Sequence, residues 1–290
     1  MEKIVIIINS FILSVYYFCV NLFSRRKITF NKDGEYIISL TTYNKRLKYV
    51  FLTIESLINQ KYKASRIILW LSDEDLPDRK LPSTLKRLQS RGIEINFNHE
   101  NLRSYKKLTH FCQNRKNYKF NYVVTADDDV FYPTYWLQKF KESNDSVLGY
   151  VYCYRGKSIK FNSDGESTDY REWITDVDIC NENDSLLMPT GVSGICYPKD
   201  SLSDDMFDIN NILANCEYAD DVWYKFCTMK KGFGCKLVMN INIHFIPVLF
   251  SLGKGLETNN VQNGMNTIQF NKAMSHFNMT SKDFIKNTIQ

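Results

Sequence analysis

The spacing of apolar and polar positions changes several times along the chain. Residues 4 to 23, IVIIINSFILSVYYFCVNLF, form a 20-residue run without a charge. As a helix such a run is about 30 Å long, about the thickness of the hydrocarbon core of a bilayer. Asn9, Ser10, Ser14 and Asn21 interrupt it, and Arg25, Arg26 and Lys27 follow at once, with Lys3 the only base before it. The pattern predicts a membrane anchor, spanning or interfacial, over residues 1–27. The basic flank predicts that the main domain lies at the cytoplasmic face of the cell membrane. A cleaved signal peptide is not predicted, because no small-residue cleavage site follows the run. The competing expectation is a helix buried against the domain.

After a polar linker (24–35) the periodicity becomes regular. YIISL (36–40), RIILWL (66–71), IEINF (93–97) and YVVTA (122–126) read as short strands. Between them stand helical patterns. Leu47, Val50, Phe51, Ile54, Leu57 and Ile58 recur at helical spacing, STLKRLQSRG ends on Gly92, and SYKKLTHFCQNRKN precedes the fourth strand. Strands alternating with helices predict parallel crossovers, and near-continuous apolar strands predict burial on both faces. Residues 36–130 therefore read as a Rossmann-like half. Neither a G-x-G-x-x-G turn nor a G-x-x-x-x-G-K-[ST] loop is present. Any bound phosphate needs another source of positive charge.

Beyond residue 145 the pattern loosens. VLGYVYCY, TGVSGICYP (190–198) and KLVMNINIHFIPV (236–248) read as strands, ADDVWYKFCTMKKG as a helix, and 266–276 as a short helix in a tail with glycine- and asparagine-rich turns. The predicted division is an anchor (1–27), an α/β domain (36–250) and a C-terminal tail (251–290).

Composition adds two exclusions. The net charge of +5 is too modest for a nucleic-acid partner. Eight cysteines without a C-x-x-C pair predict reduced thiols, not a disulfide framework or a zinc site. Charge is uneven locally: 101–121 is basic with no acid, and 164–184 is acidic with Arg171 the one base.

Candidate chemistry gathers at Asp127, Asp128 and Asp129, directly after the fourth strand. Ligands of open parallel sheets sit outside the carboxyl ends of the strands. Carboxylates there can hold Mg²⁺ or Mn²⁺, which favours one or two carboxylates plus phosphate oxygens and water. Such a cation relieves the repulsion among the aspartates and supplies the charge that no glycine loop provides. A D-x-D-x-[TV] phosphatase motif fails at Phe131. Asp220 and Asp221 open a helix, and two readings stand there: capping, or a general base. His244 reads either as a core histidine or as a neutral imidazole completing a metal shell. The hydroxyls of SLTTYNKR (39–46) and Arg46 suit turn chemistry or contact with a base or phosphate. Lys106 and Lys107 suit a solvated helix face or a diphosphate.

Together ISLTTYNKR, TIESLINQ, RIILWLSDED, ENLRSYKKL, VVTADDDVFYPTYWL, PTGVSGICYP and ADDVWYKF resemble the family 2-like glycosyltransferases of the GT-A fold, closest to a bacterial branch of polysaccharide biosynthesis. The resemblance covers most of 37–228. It implies a nucleotide-binding half with a mostly parallel sheet and an acceptor-binding half. It implies a nucleotide-sugar donor, a glycan or lipid-linked saccharide acceptor, and a divalent cation. By its match, Thr41, Tyr43, Arg46, Asp73, Lys106, Asp127 and Asp128 contact the donor, Asp127 and Asp129 hold the metal, and Asp221 is the base of an inverting transfer. His244 has no counterpart in the family, and the pair here is Asp-Asp where Glu-Asp is more familiar. Two other functions fit less well: a nucleotidyltransferase, which would bring a glycine-rich first loop, and an inactive membrane-anchored sugar-nucleotide-binding protein.

Overall fold

A computed structural model describes residues 2–249 and 264–285 of the 290-residue chain. It is a mixed α/β protein that divides into two compact units, Met1–Lys141 with His244–Gly253, and Glu142–Ile243 with Lys254–Gln290. The boundary falls inside the region 36–250, after the Rossmann-like half expected over 36–130, and the segment 244–249 returns to the first unit.

The first unit holds α1 (Glu2–Phe23), β1 (Tyr36–Thr41), α2 (Val50–Ile58), β2 (Arg66–Ser72), α3 (Ser83–Arg91), β3 (Glu94–Asn98), α4 (Lys106–Asn114) and β4 (Tyr122–Ala126). The four apolar runs are the four strands, and each pairs in parallel with its neighbours in the order β3-β2-β1-β4. β1, β2 and β4 are buried along nearly their whole length, as strands covered on both faces must be. One polar residue sits deep in β1: Ser39 accepts a bond from Trp70 Nε1 at 2.9 Å and donates to the Lys107 carbonyl, so it satisfies the helix above it. α3 stops where expected. Gly92 takes φ +123°, and its N–H caps the Leu88 and Gln89 carbonyls, a conformation that residues with a Cβ avoid.

The strand order reverses beside β1. The chain steps outward from β1 to β3 and then returns to place β4 on the other side of β1. Right-handed crossovers then carry the connecting helices to opposite faces. The carboxyl ends of β1 and β4 are level, with Leu40 opposite Ala126. A crevice at such a reversal is the standard ligand position of this architecture.

The N-terminal helix is docked on this unit along one stripe. Ser10, Ser14, Tyr17 and Asn21 are buried, at i, i+4, i+7 and i+11. Asn21 has no exposed surface. Its amide donates to Glu55 at 3.0 Å and to the Thr84 carbonyl at 3.3 Å, and it accepts from Arg87 at 3.0 Å. Glu55 is itself ion-paired with Arg91 in the interior.

The second unit holds β5 (Tyr150–Cys153), β6 (Gly156–Ser158), α6 (Val177–Glu182), β7 (Leu187–Pro189), β8 (Ile195–Pro198), α7 (Ile209–Asn215), α8 (Asp220–Lys230), β9 (Gly234–Leu237), α9 (Met265–His276) and α10 (Ser281–Phe284). The chain reaches it through α5 (Trp136–Ser146). β5 pairs antiparallel with β8 and parallel with β9, and β6 with β7 form a separate ribbon. Trp223, Phe226, Phe270, Phe277 and Phe284 pack ring to ring between α8, α9 and α10.

Two strand expectations are corrected here. KLVMNINIHFIPV is not one strand: only its first two residues belong to β9, because Met239 and Asn240 take φ +55° and +52° and break the extension. TGVSGICYP is a strand only from Ile195. Thr190–Gly194 is a turn in which Ser193 takes φ +74° and Gly194 φ +100°. The expected helix near 266–276 is α9. The glycine- and asparagine-rich turns expected at 254–263 lie outside the described residues. All eight cysteines are free thiols, and all but Cys19 are buried.

Candidate active site

The acidic loop of the first unit follows β4 at the reversal. Its three carboxylates are treated differently. Asp128 points inward, with 6% of its side chain exposed. It accepts from the Thr42 hydroxyl at 2.5 Å and from Arg46 at 2.9 Å, and its carbonyl accepts from Thr53 at 3.0 Å. Asp127 and Asp129 are only partly buried, 25% and 27% exposed, with most of each carboxylate still shielded from water. Arg46 bridges to Asp129 as well, at 2.9 Å, and Lys107 reaches Asp127 at 3.0 Å. The loop backbone is fixed too. The Asp127 N–H donates to the Tyr132 hydroxyl, and Val248 N–H donates to the Asp129 carbonyl at 2.7 Å.

Two cations thus face three carboxylates. Two of the three, Asp128 and Asp129, are raised in pKa. Asp129 is pushed up to about 7, first by burial and next by Asp128, with Arg46 offsetting only part. Burial also pushes Asp128 up, against the pull of Arg46 and of the Thr42 bond. These groups titrate as a set.

Around the loop the expected donor residues divide. Thr41 ends β1 with its hydroxyl on the Trp70 carbonyl at 2.8 Å. Tyr43 lies beneath the Arg46 guanidinium, whose centre is 5.5 Å from the ring, so the two form one surface. Asp73, at the end of β2, is held by Arg79 at 2.6 and 2.8 Å and by His99 at 2.7 Å, which keeps its carboxyl below the usual range. Lys106 has no exposed surface; its ammonium is bonded to Asp75 and to the Thr42 carbonyl. A buried lysine engaged in this way braces the loop after β1. Neighbours on a helix point about 100° apart, so one of the two lysines faces the aspartates, and it is Lys107. Thr42, Thr53, Asp75 and Tyr132 complete the surroundings. No sequence motif marks them, because Thr42, Thr53 and Asp75 act through partners 86, 75 and 31 positions away.

His244 is exposed in an extended segment, while the next residue, Phe245, is buried with its ring 6.0 Å from that of Tyr132. Among the described residues no three His, Cys, Asp or Glu side chains are gathered as a metal cage. The loop fits a different kind of cation site. Asp127 and Asp129, the two accessible carboxylates, suit Mg²⁺ or Mn²⁺ that completes its shell with phosphate oxygens and water. Asp128 is committed to the protein.

In the second unit Asp220 and Asp221 occupy the first turn of α8. The capping residue is Ala219, so neither aspartate is the cap; both sit where the helix dipole favours negative charge. Asp220 is buried and Asp221 half-buried. Asp221 Oδ2 accepts the Gly191 N–H at 2.6 Å. The Thr190–Gly194 turn thus holds this carboxylate by a backbone donor. Gly194 N–H closes the turn on the Gly191 carbonyl at 2.9 Å.

No protein-family model matches the sequence, and no curated protein is similar to it. Among solved structures, the chain is similar to S. aureus TarS 1–349 in complex with UDP, with 16% identity and a TM-score of 0.45. It is also similar to a second structure of S. aureus TarS 1–349, with 13% identity and a TM-score of 0.42. Each match covers 72% of this chain, which spans 59% of the length of either TarS chain.

Proposed function

We propose that the protein is a glycosyltransferase that moves a sugar from a nucleotide-sugar donor to a glycan or lipid-linked saccharide. The supporting observation is the acidic loop. At the reversal point of a parallel sheet, two accessible carboxylates flank a third that is buried and locked by Thr42 and Arg46. That arrangement serves a metal–diphosphate group without a glycine-rich turn. Asp127 and Asp129 would hold Mg²⁺ or Mn²⁺, which as a Lewis acid supplies charge compensation for a diphosphate. Arg46 and Tyr43 offer a cation and a ring to the nucleotide, and Thr41 and Asp73 stand at the neighbouring strand ends.

Asp221 is the general base in this proposal. Its Oδ2 is held by Gly191, which fixes the direction of the carboxylate. It takes the proton of an acceptor hydroxyl as that oxygen bonds to the anomeric carbon. The bond from that carbon to the diphosphate breaks, and its electron pair leaves with the nucleotide. Attack opposite the leaving group inverts the anomeric centre.

The test is a screen of sugar nucleotides for hydrolysis with Mg²⁺ or Mn²⁺, repeated with Asp129→Ala and Asp221→Ala. Hydrolysis of one donor, lost in both variants, is expected. Failure to bind or hydrolyse any donor sinks the proposal, and anomeric NMR showing retention sinks the inverting step.

A further inference from the structure

α1 is amphipathic in the reverse sense to a water-soluble helix. Its buried stripe is Ser10, Ser14, Tyr17 and Asn21. Its exposed arc is apolar, and Ile4, Ile8, Phe11, Ile12, Val15 and Tyr16 are the core of it. A helix in water buries its apolar face, because each large side chain left out forgoes about 1.5–3 kcal/mol of burial. The same arrangement is favourable where the outer medium is hydrocarbon. Elsewhere among the described residues, exposed large apolar side chains are scattered; here they are contiguous on one element.

The docked stripe also excludes a simple span. Ser10 donates to the Pro247 carbonyl at 2.6 Å, Tyr17 stacks on Phe131 with ring centres 5.6 Å apart, and Asn21 is bonded to Glu55, Thr84 and Arg87. These contacts fix about 17 Å of helix against the first unit and its charged residues Glu55 and Arg87. Residues 3–9, exposed throughout, extend about 10 Å beyond, against the roughly 30 Å a span requires. Arg25, Arg26 and Lys27, all exposed, follow the helix directly. Their charge complements an anionic headgroup layer.

We infer that α1 lies in the surface of one leaflet of an anionic bilayer, its apolar arc in the acyl boundary and its polar stripe still on the protein, and does not cross. The inference is independent of the proposed chemistry and is tested without an activity assay. Cys19 is the one exposed cysteine, so the full-length protein can be labelled there with an environment-sensitive fluorophore. With vesicles of phosphatidylcholine and phosphatidylglycerol (1:1), the emission should shift to the blue. Lipids spin-labelled near the headgroup should quench it more than lipids labelled deep in the chain. A tag on the N-terminus should stay open to protease added outside the vesicles. Arg25→Gln/Arg26→Gln, both at exposed positions, should weaken flotation with these vesicles by about 30-fold and leave neutral vesicles little affected. Protection of the tag with deep quenching would overturn the inference in favour of a span. An unchanged spectrum with vesicles, and Cys19–Cys19 crosslinks between chains, would overturn it in favour of a second copy on this face.

Discussion

The two acidic sites are held by different means. In the first unit, Asp127, Asp128 and Asp129 are balanced by the side chains of Arg46 and Lys107, long groups reaching in from the loop after β1 and from α4. In the second, Asp221 is held by a backbone N–H and the first turn of a helix. Side-chain cations can swing aside or be supplemented, as a loop that trades partners with an incoming ion and diphosphate requires. A backbone donor cannot leave, which suits a carboxylate that must keep one direction through a proton transfer. The first site should therefore be costly to stability when altered, and the second costly mainly to rate.

The largest effect should come from Asp221→Asn. The amide oxygen can still accept from Gly191, so the fold changes by less than about 1 kcal/mol. Transfer should fall by about 10²–10⁴-fold, read as turnover with donor affinity unchanged. A loss of stability matching that of the first site would erase the contrast. Next is Arg46→Ala, which strips the buried Asp128 of its partner and should cost about 3 kcal/mol, measured as a shift in urea midpoint. Lys107→Met removes a single cation from the more exposed Asp127 and should cost about 2 kcal/mol in the same measurement. If Lys106→Met left stability unchanged, the division of labour between the two lysines would be wrong.

The smallest effect concerns the helix that presents Lys107. His110 lies buried on α4, and burial lowers its pKa below the usual 6.5 or so. A depressed histidine pKa contributes stability that is complete above the unfolded value and is lost as pH falls through the folded one. Stability should drop below about pH 6.5, by at most about 1.4 kcal/mol per pH unit from this group. His110→Gln should flatten that part of the urea-midpoint profile, while the second unit offers no equivalent buried histidine among its described residues.

The sheet of the first unit was legible because each strand is a buried apolar run and each crossover a helical pattern. The position of the acidic loop was legible for the same reason: the apolar run of β4 ends directly before Asp127. The limits were physical as well. Lys106 and Lys107 are adjacent in sequence, and only the rotation of α4 on the sheet decides which one meets the aspartates. KLVMNINIHFIPV has the composition of a strand, yet two residues with positive φ, Met239 and Asn240, end it. Asn21 interrupts the apolar run and weakens the case for a span. Its meaning emerged only with Glu55, Thr84 and Arg87 around it.

One practical consequence follows from the stack of Tyr17 on Phe131. Phe131 is two residues beyond Asp129, and Pro247, which accepts from Ser10, directly precedes the residue bonded to the Asp129 carbonyl. Cutting the chain near residue 27 to obtain a soluble protein would therefore strip one wall from the acidic loop and uncover the Glu55–Arg91 pair. A better route to a well-behaved sample leaves Ser10, Ser14, Tyr17 and Asn21 in place and replaces the outward Ile4, Ile8, Phe11, Ile12 and Val15 with polar residues.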